Sequence, residues 1–174
     1  EDEQAKFIYL LMHEAGKTLE DALDEIREAV DFLRYYSQQA LNLQSVSQRG
    51  PTGEDNILEY GPKGIILCIS PWNFPLAITI GQIAAALASG NTVISKPSEH
   101  TPIIAFEAIN LFFEQGLPEE ALHLFLGNGE LGQAIILNQV IDLVAFTGSL
   151  QTAKNIHKNL SLKPGKIIPL IAET

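Results

Sequence analysis

Cysteine is almost missing from this chain. Cys68 stands alone among 174 residues, so no disulfide can form within the chain and a cysteine-held metal cluster has nothing to build on. A lone cysteine fits a reducing compartment, and a cytoplasmic location is the expectation. Positive charge is scarce too: 11 Lys and Arg face 21 Asp and Glu, for a net charge of −10. A broad phosphate-binding face for nucleic acid or anionic lipid needs the opposite balance, so direct nucleic-acid binding is not expected. Long apolar runs are missing. Stretches such as residues 83–88 (IAAALA) fall far short of the roughly 20 residues needed to cross a bilayer. The four histidines, His13, His100, His123 and His157, have no metal-ligand spacing, and no metal is expected. No proline occurs before Pro51, and Gly16 is the only glycine before Gly50.

That early poverty in helix breakers marks a distinct N-terminal segment. Thr18 and Asp21 have the form of a capping box, and Leu19, Ala22, Leu23, Ile26, Val30 and Leu33 recur at helical spacing. Gly16 sits where a preceding helix from about Gln4 would stop. Residues 1–50 are therefore expected to be helical, with Glu20, Asp21, Asp24, Glu25 and Glu28 on solvated faces. The stretch from Ser45 to Asp55 has the Pro, Gly, Ser and Gln content of a connector, and the connector is expected at residues 51–60.

From residue 61 the texture changes to strand, turn, helix, repeated. Residues 64–70 (GIILCIS) form a continuous apolar run of the kind buried on both faces of a sheet. Further strands are expected at 91–95, 121–126, 141–146 and 167–172. Helices are expected at 75–88, from Thr101-Pro102 to Gly116, at 130–137 and at 151–160. Thr101 is the expected N-cap of the second of these, with Pro102 in its first turn. Strands separated by helices imply right-handed crossovers. The expected fold is an α/β doubly wound parallel five-stranded sheet, preceded by two helices. The chain opens at Glu1 without methionine and stops at Thr174 straight after an apolar run. It is expected to be a segment of a longer protein.

Ligands of such sheets bind at the carboxyl ends of the strands. Nearly every unusual residue of the chain falls on that edge. Gly127-Asn128-Gly129-Glu130-Leu131-Gly132 is a GxGxxG between strand and helix. It is either a pyrophosphate cradle or a glycine-rich turn, and the acidic residue that should follow about 20 positions later is not placed well, since Asp142 comes too early. Lys96 and Glu99 either hold a ribose or form a surface ion pair. Thr147-Gly148-Ser149 is a phosphate cradle or a plain helix cap. Asn73, with Pro71 and Pro75 close on either side, is an amide aimed at an oxyanion or a turn residue beside Trp72. Glu173, at the end of an apolar run, is a general base among apolar neighbours or the last residue of a strand. Cys68 lies inside an apolar strand with nothing adjacent to generate a thiolate, and is rejected as a nucleophile.

The stretches at 64–75 (GIILCISPWNFP), 88–99 (ASGNTVISKPSE), 143–149 (LVAFTGS) and 170–174 (LIAET), in this order and spacing, resemble the aldehyde dehydrogenase superfamily. Residues 15–36 also look like that family's N-terminal helices. ISPWNFPLAI, followed by Gly81-Gln82 where many relatives have Trp-Lys, and IPLIAET at 168–174 resemble the L-glutamate γ-semialdehyde (1-pyrroline-5-carboxylate) dehydrogenases, especially the module in bifunctional proline utilisation proteins.

The resemblance implies an NAD-binding domain over residues 61–174 that is incomplete, with the catalytic domain and its nucleophilic cysteine beyond Thr174, so the segment alone is expected to be inactive. It implies NAD as cofactor, an aldehyde as substrate, and a homo-oligomer for the intact enzyme. Asn73 would donate to the oxyanion and Glu173 would activate the hydrolytic water. Lys96 and Glu99 would hold the adenosine ribose, and Gly148 and Ser149 would meet the pyrophosphate. Ile69, Ser70, Pro71 and Trp72 would line the cleft, and Gly129 and Gly132 would lie on the adenine side. Ser98, Phe146 and Thr152 complete the cofactor-binding set. The resemblance thus places the pyrophosphate on the turn after residue 147, not on the GxGxxG. Leu126 departs from the proline usual in relatives, and Ala153 from a third glycine. The implied reaction is oxidation of L-glutamate γ-semialdehyde to L-glutamate. The alternatives are an aldehyde dehydrogenase of other specificity and a non-catalytic dinucleotide-binding module.

Overall fold

The computed structural model describes residues 3–137 and 140–174. Two helices open it, α1 (Gln4–Glu14) and α2 (Leu19–Leu41). Gly16 ends the first with φ +67°, a backbone state that costs glycine nothing, while the Lys17 amide bonds back to the Leu11 carbonyl. Thr18 caps the second by accepting from the Asp21 amide at 3.1 Å.

An antiparallel hairpin, β1 (Val46–Arg49) and β2 (Asp55–Leu58), takes up the end of the segment expected to be helical and most of the expected connector. All eight of its strand residues are exposed. A strand with neither face buried has no alternation of apolar and polar residues to announce it, which is why composition reads there as a linker.

The remainder is the expected doubly wound sheet. Its strands are β3 (Ile65–Ile69), β4 (Thr92–Lys96), β5 (Leu122–Leu124), β6 (Leu143–Thr147) and β7 (Leu170–Glu173). They are parallel throughout, in the order β5-β4-β3-β6-β7. Between them run α3 (Ala77–Ala88), α4 (Pro102–Glu114), α5 (Gly129–Leu137) and α6 (Leu150–Leu162). Ile66 and Cys68 pack with Ile83 and Ala86 of α3 and Ile109 of α4 on one face. Leu67, Val144 and Phe146 pack with Ile136 of α5 and Ala153, Ile156 and Leu160 of α6 on the other. This period-2 alternation gives β3 two buried faces. A further apolar cluster joins Phe7, Leu11, Ala22 and Ala29 of the N-terminal helices to Ala77, Ile80, Ile104 and Ala108. The first two helices thus form an outer layer over α3 and α4.

Several strand limits move. β6 starts at Leu143, not 141, because the Asp142 carboxylate turns back to accept from the Ile65 amide at 2.7 Å. β7 starts at Leu170, after Pro169. β5 keeps three residues, behind a 3-10 turn at Glu119–Ala121.

The N-terminal helices correct three expectations. Leu19 is exposed, and Val30 and Leu33 are partly so, while Ala22, Glu25 and Ala29 carry the buried face of α2. Glu25, expected in solvent, is 1% exposed, and its Oε1 accepts from the Leu76 amide at 2.9 Å and the Ala77 amide at 3.3 Å. Thr101 makes no side-chain cap for α4. Glu14 does that work from α1, accepting from the Ile103 and Ile104 amides at 2.8 Å each. Two carboxylates from the outer layer therefore sit at the positive ends of two helices in the layer below.

Candidate functional site

β3 is followed in space by β4 on one side and β6 on the other. The crossovers diverge there, and at such a switch point the strand ends leave a crevice. Four loops meet at it: residues 70–76 after β3, 97–101 after β4, 148–149 after β6, and Thr174 after β7. The crevice opens into a cleft of about 990 Å³, within the size range of small-molecule and cofactor sites. Every site residue expected from sequence lines it: Asn73, Glu173, Ile69, Ser70, Pro71, Trp72, Lys96, Ser98, Glu99, Gly129, Gly132, Phe146, Gly148, Ser149 and Thr152.

Lys96 ends β4 and is 5% exposed. Burial pushes its ammonium below the usual lysine pKa, and Glu99 opposes that shift. Nζ donates to the Pro97 carbonyl at 3.1 Å and lies 3.8 Å from Glu99 Oε2. An ammonium has three donors, so capacity remains for an oxygen in the cleft. Gly132 flanks its stem: a Cβ added there would lie 3.3 Å from Lys96 Cδ and 3.4 Å from Cε. That glycine of the GxGxxG makes room for the lysine. Asn128, between the first two glycines, caps α5 by accepting from the Glu130 and Leu131 amides at 3.1 and 3.3 Å.

At β3, Ser70 is buried and its hydroxyl shares a 2.7 Å hydrogen bond with Thr79 of α3. Trp72, Asn73 and Phe74 are exposed on the loop that follows. After β6, Ser149 caps α6, accepting from the Thr152 amide at 3.2 Å. The Gly148 amide donates to the Glu173 carbonyl at 3.1 Å, which ties the ends of β6 and β7 together. Glu173 itself is exposed, so the apolar surroundings expected for it are absent from this segment.

Helix N-termini decide where an anion can go. Those of α3 and α4 already face the carboxylates of Glu25 and Glu14, and that of α5 is taken by Asn128. At α6 the cap is the neutral Ser149, and among the described residues no side chain takes the Leu150 or Gln151 amide. The pyrophosphate site implied at Gly148 and Ser149 thus lies at a helix end capped by a neutral hydroxyl, with two of its first amides taken by no side chain among the described residues.

Residues that sequence reasoning missed also reach the cleft. Glu28 and Phe32 of α2 line it. Gln82 donates to the Ile69 carbonyl at 3.2 Å and to Thr147 Oγ1 at 3.1 Å, bridging the ends of β3 and β6 from α3. The signal was there: an amide inside a helix of otherwise apolar and small residues. Cys68 is buried in β3, and burial pushes its thiol up to about 12.

The sequence profile of the aldehyde dehydrogenase family matches residues 1–174. The chain belongs to the aldehyde dehydrogenase family. Among relatives of this family member, the bifunctional protein PutA of Rhizobium meliloti is 46% identical over 168 residues, covering 95% of this chain and 13% of its own length. A 1-pyrroline-5-carboxylate dehydrogenase of Anoxybacillus flavithermus is 38% identical over 165 residues, covering 93% of this chain and 32% of its own. A crystal structure of a bifunctional proline utilization A protein superposes with a TM-score of 0.96 at 50% identity, over 100% of this chain and 18% of that one. The chain therefore spans about an eighth of the length of PutA. Among its described residues, no helix of this aldehyde dehydrogenase chain is long and apolar enough to cross a membrane, and no group of three or more His, Cys, Asp or Glu could hold a metal.

Proposed function

We propose that this chain is the cofactor-binding part of a cytoplasmic, homo-oligomeric, NAD-dependent dehydrogenase that oxidises L-glutamate γ-semialdehyde to L-glutamate. The observation that carries the reading is the convergence of Asn73, Glu173, Lys96, Glu99 and the α6 N-terminus on one cleft. The names of the PutA and 1-pyrroline-5-carboxylate dehydrogenase relatives support the substrate.

The residues present fit a dinucleotide. Lys96 keeps spare donors, and the half-exposed Glu99 carboxylate is an acceptor beside it, a pair suited to vicinal ribose hydroxyls. Glu99 would also repel a 2′-phosphate, which favours NAD over NADP. Gly148, Ser149 and Thr152 present the uncrowded end of α6 to the pyrophosphate. The bound cofactor supplies the hydride acceptor.

The chain's own residues act on the substrate side. An attacking thiolate has to come from outside this segment, since Cys68 is buried and protonated. As that thiolate adds to the aldehyde carbonyl, the oxygen gains charge, and the Asn73 amide donates a hydrogen bond to it. After oxidation the acyl group is a thioester. The Glu173 carboxylate takes a proton from a water molecule, the water oxygen attacks the acyl carbon, and the thiolate leaves.

Asn73→Ala in the full-length enzyme tests the assignment. The expected result is a loss of about 10²–10³ in kcat with NAD affinity little changed. A kcat within a few-fold of wild type would remove Asn73 from the reaction.

A further inference from the structure

Glu25 is the buried charge that the reaction does not use. It sits on α2, 51 residues in sequence from its partner Leu76, with its side chain fully enclosed. Its Oε1 is bound by the amides of Leu76 and Ala77, where the 71–75 loop enters α3. Its Oε2 lies 3.0 Å from Nζ of Lys17, whose side chain is 12% exposed. Lys17 Nζ in turn stands 3.7 Å above the centre of the Phe74 ring, close enough for a cation–π attraction. One ion pair from the outer helical layer thus holds both residues that flank the second half of the loop: Phe74 directly after Asn73, and Leu76 two residues on. The Asn73 amide itself is exposed and has no side-chain partner among the described residues. Its aim is set by the backbone on which it stands.

We propose that Glu25 and Lys17 are positioning residues: a buried clamp that fixes the 71–77 segment and, through it, the direction of the Asn73 amide. This rests on the oxyanion role given to Asn73 above for its effect on turnover, but not for the clamp itself. A buried ion pair replaced by apolar residues often costs a fold little, so stability alone is a weak reason for this pair. Orientation is a stronger one, since a displacement of about 1 Å in a catalytic group can cost a hundredfold in rate. The proposed ribose and pyrophosphate contacts, Lys96, Glu99, Gly148 and Ser149, lie on other loops, and only Pro71 and Trp72 of the proposed cofactor lining belong to the clamped segment.

The test uses the full-length protein in two measurements. Hydrogen exchange read by mass spectrometry on Glu25→Ala should show faster exchange across 71–77, with β4 still protected; unchanged exchange at 71–77 overturns the clamp. In kinetics, Glu25→Ala should lower kcat about ten- to a hundredfold while KM for NAD stays within about twofold of wild type. Combined with Asn73→Ala, Glu25→Ala should add little further loss, because both act through one amide; fully additive losses overturn the positioning role. The variant Glu25→Gln keeps an acceptor for the Leu76 and Ala77 amides and leaves Lys17 over the Phe74 ring, so it should recover most of the kcat lost in Glu25→Ala. Failure of that rescue in a protein with normal exchange at 71–77 also overturns the proposal. If Asn73→Ala alone leaves kcat intact, the oxyanion reading fails, and the exchange measurement still decides the clamp.

Discussion

Replacing Gly132 by alanine sets two effects against each other. Gly132 lies inside α5, where alanine is favoured over glycine by about 0.8–1.0 kcal/mol. Its backbone is not in the left-handed region, so alanine is not strained there. The added methyl, however, would stand 3.3 Å from Lys96 Cδ and 3.4 Å from Cε, a few tenths of an ångström inside the usual carbon–carbon optimum. Lys96 is buried and cannot swing into solvent. Its stem has to slide, and its 3.1 Å bond to the Pro97 carbonyl and its donors toward the cleft move with it. Hydrogen bonds to charged groups are worth about 1.5–3 kcal/mol, so losing one aligned contact to a ligand weakens binding by roughly ten- to a hundredfold. Gly132→Ala should therefore leave the Tm of the full-length protein unchanged or slightly raised while NAD binding weakens at least tenfold. Calorimetry reads both quantities on one sample. Wild-type NAD affinity in this variant would refute the idea that the Lys96 stem, held by the space at Gly132, sets cofactor affinity.

On the ribose role proposed for Glu99, Glu99→Gln removes the charge that would oppose a 2′-phosphate and should raise kcat/KM with NADP relative to NAD; an unchanged ratio for the two cofactors would count against that role. Glu14→Ala strips the carboxylate from the Ile103 and Ile104 amides and should cost about 0.5–2 kcal/mol, read by urea unfolding. Cys68 predicts a pH effect of definite sign. Its folded thiol keeps its proton up to about 12, whereas the unfolded thiol ionises near 9.0. Between those values the unfolded state binds fewer protons, so stability falls as pH rises, by up to about 1.4 kcal/mol per pH unit. Cys68→Ala should flatten that alkaline slope in urea unfolding, and thiol reagents at neutral pH should label Cys68 only on unfolding.

The central sheet was legible because its strands are short apolar runs bounded by glycine, proline and polar residues, as at 64–70 and 91–95. The cleft was legible for a related reason. Strand ends carry few structural duties, so polar and proline-rich groups such as Pro71 to Asn73 and Lys96 to Glu99 stand out there. Contacts made at long range in sequence were not legible. Glu25 looks like one more charge on an amphipathic helix until Leu76 is seen beside it, and Glu14 looks solvated until Ile103 is. The Thr101 cap failed for the same reason, since the Glu14 carboxylate, 89 and 90 residues before Ile103 and Ile104, accepts from the α4 amides. The hairpin at Val46–Leu58 was missed because it buries neither face. The GxGxxG was read as either cradle or turn, and its third glycine instead accommodates the stem of Lys96.

In the proposed reaction, Glu173 and Asn73 act on substrate at the switch-point cleft, each at its own stage. Rapid-mixing kinetics of Glu173→Gln in the full-length enzyme test this most directly, with NAD and L-glutamate γ-semialdehyde as reactants. Oxidation precedes the water step, so the variant should still form about one equivalent of NADH per active site in a fast first turnover. Steady-state turnover should then fall by about 10²–10⁴, because no base remains to activate the hydrolytic water. Steady-state turnover close to wild type, or a first-turnover burst lost together with it, would contradict the role assigned to Glu173.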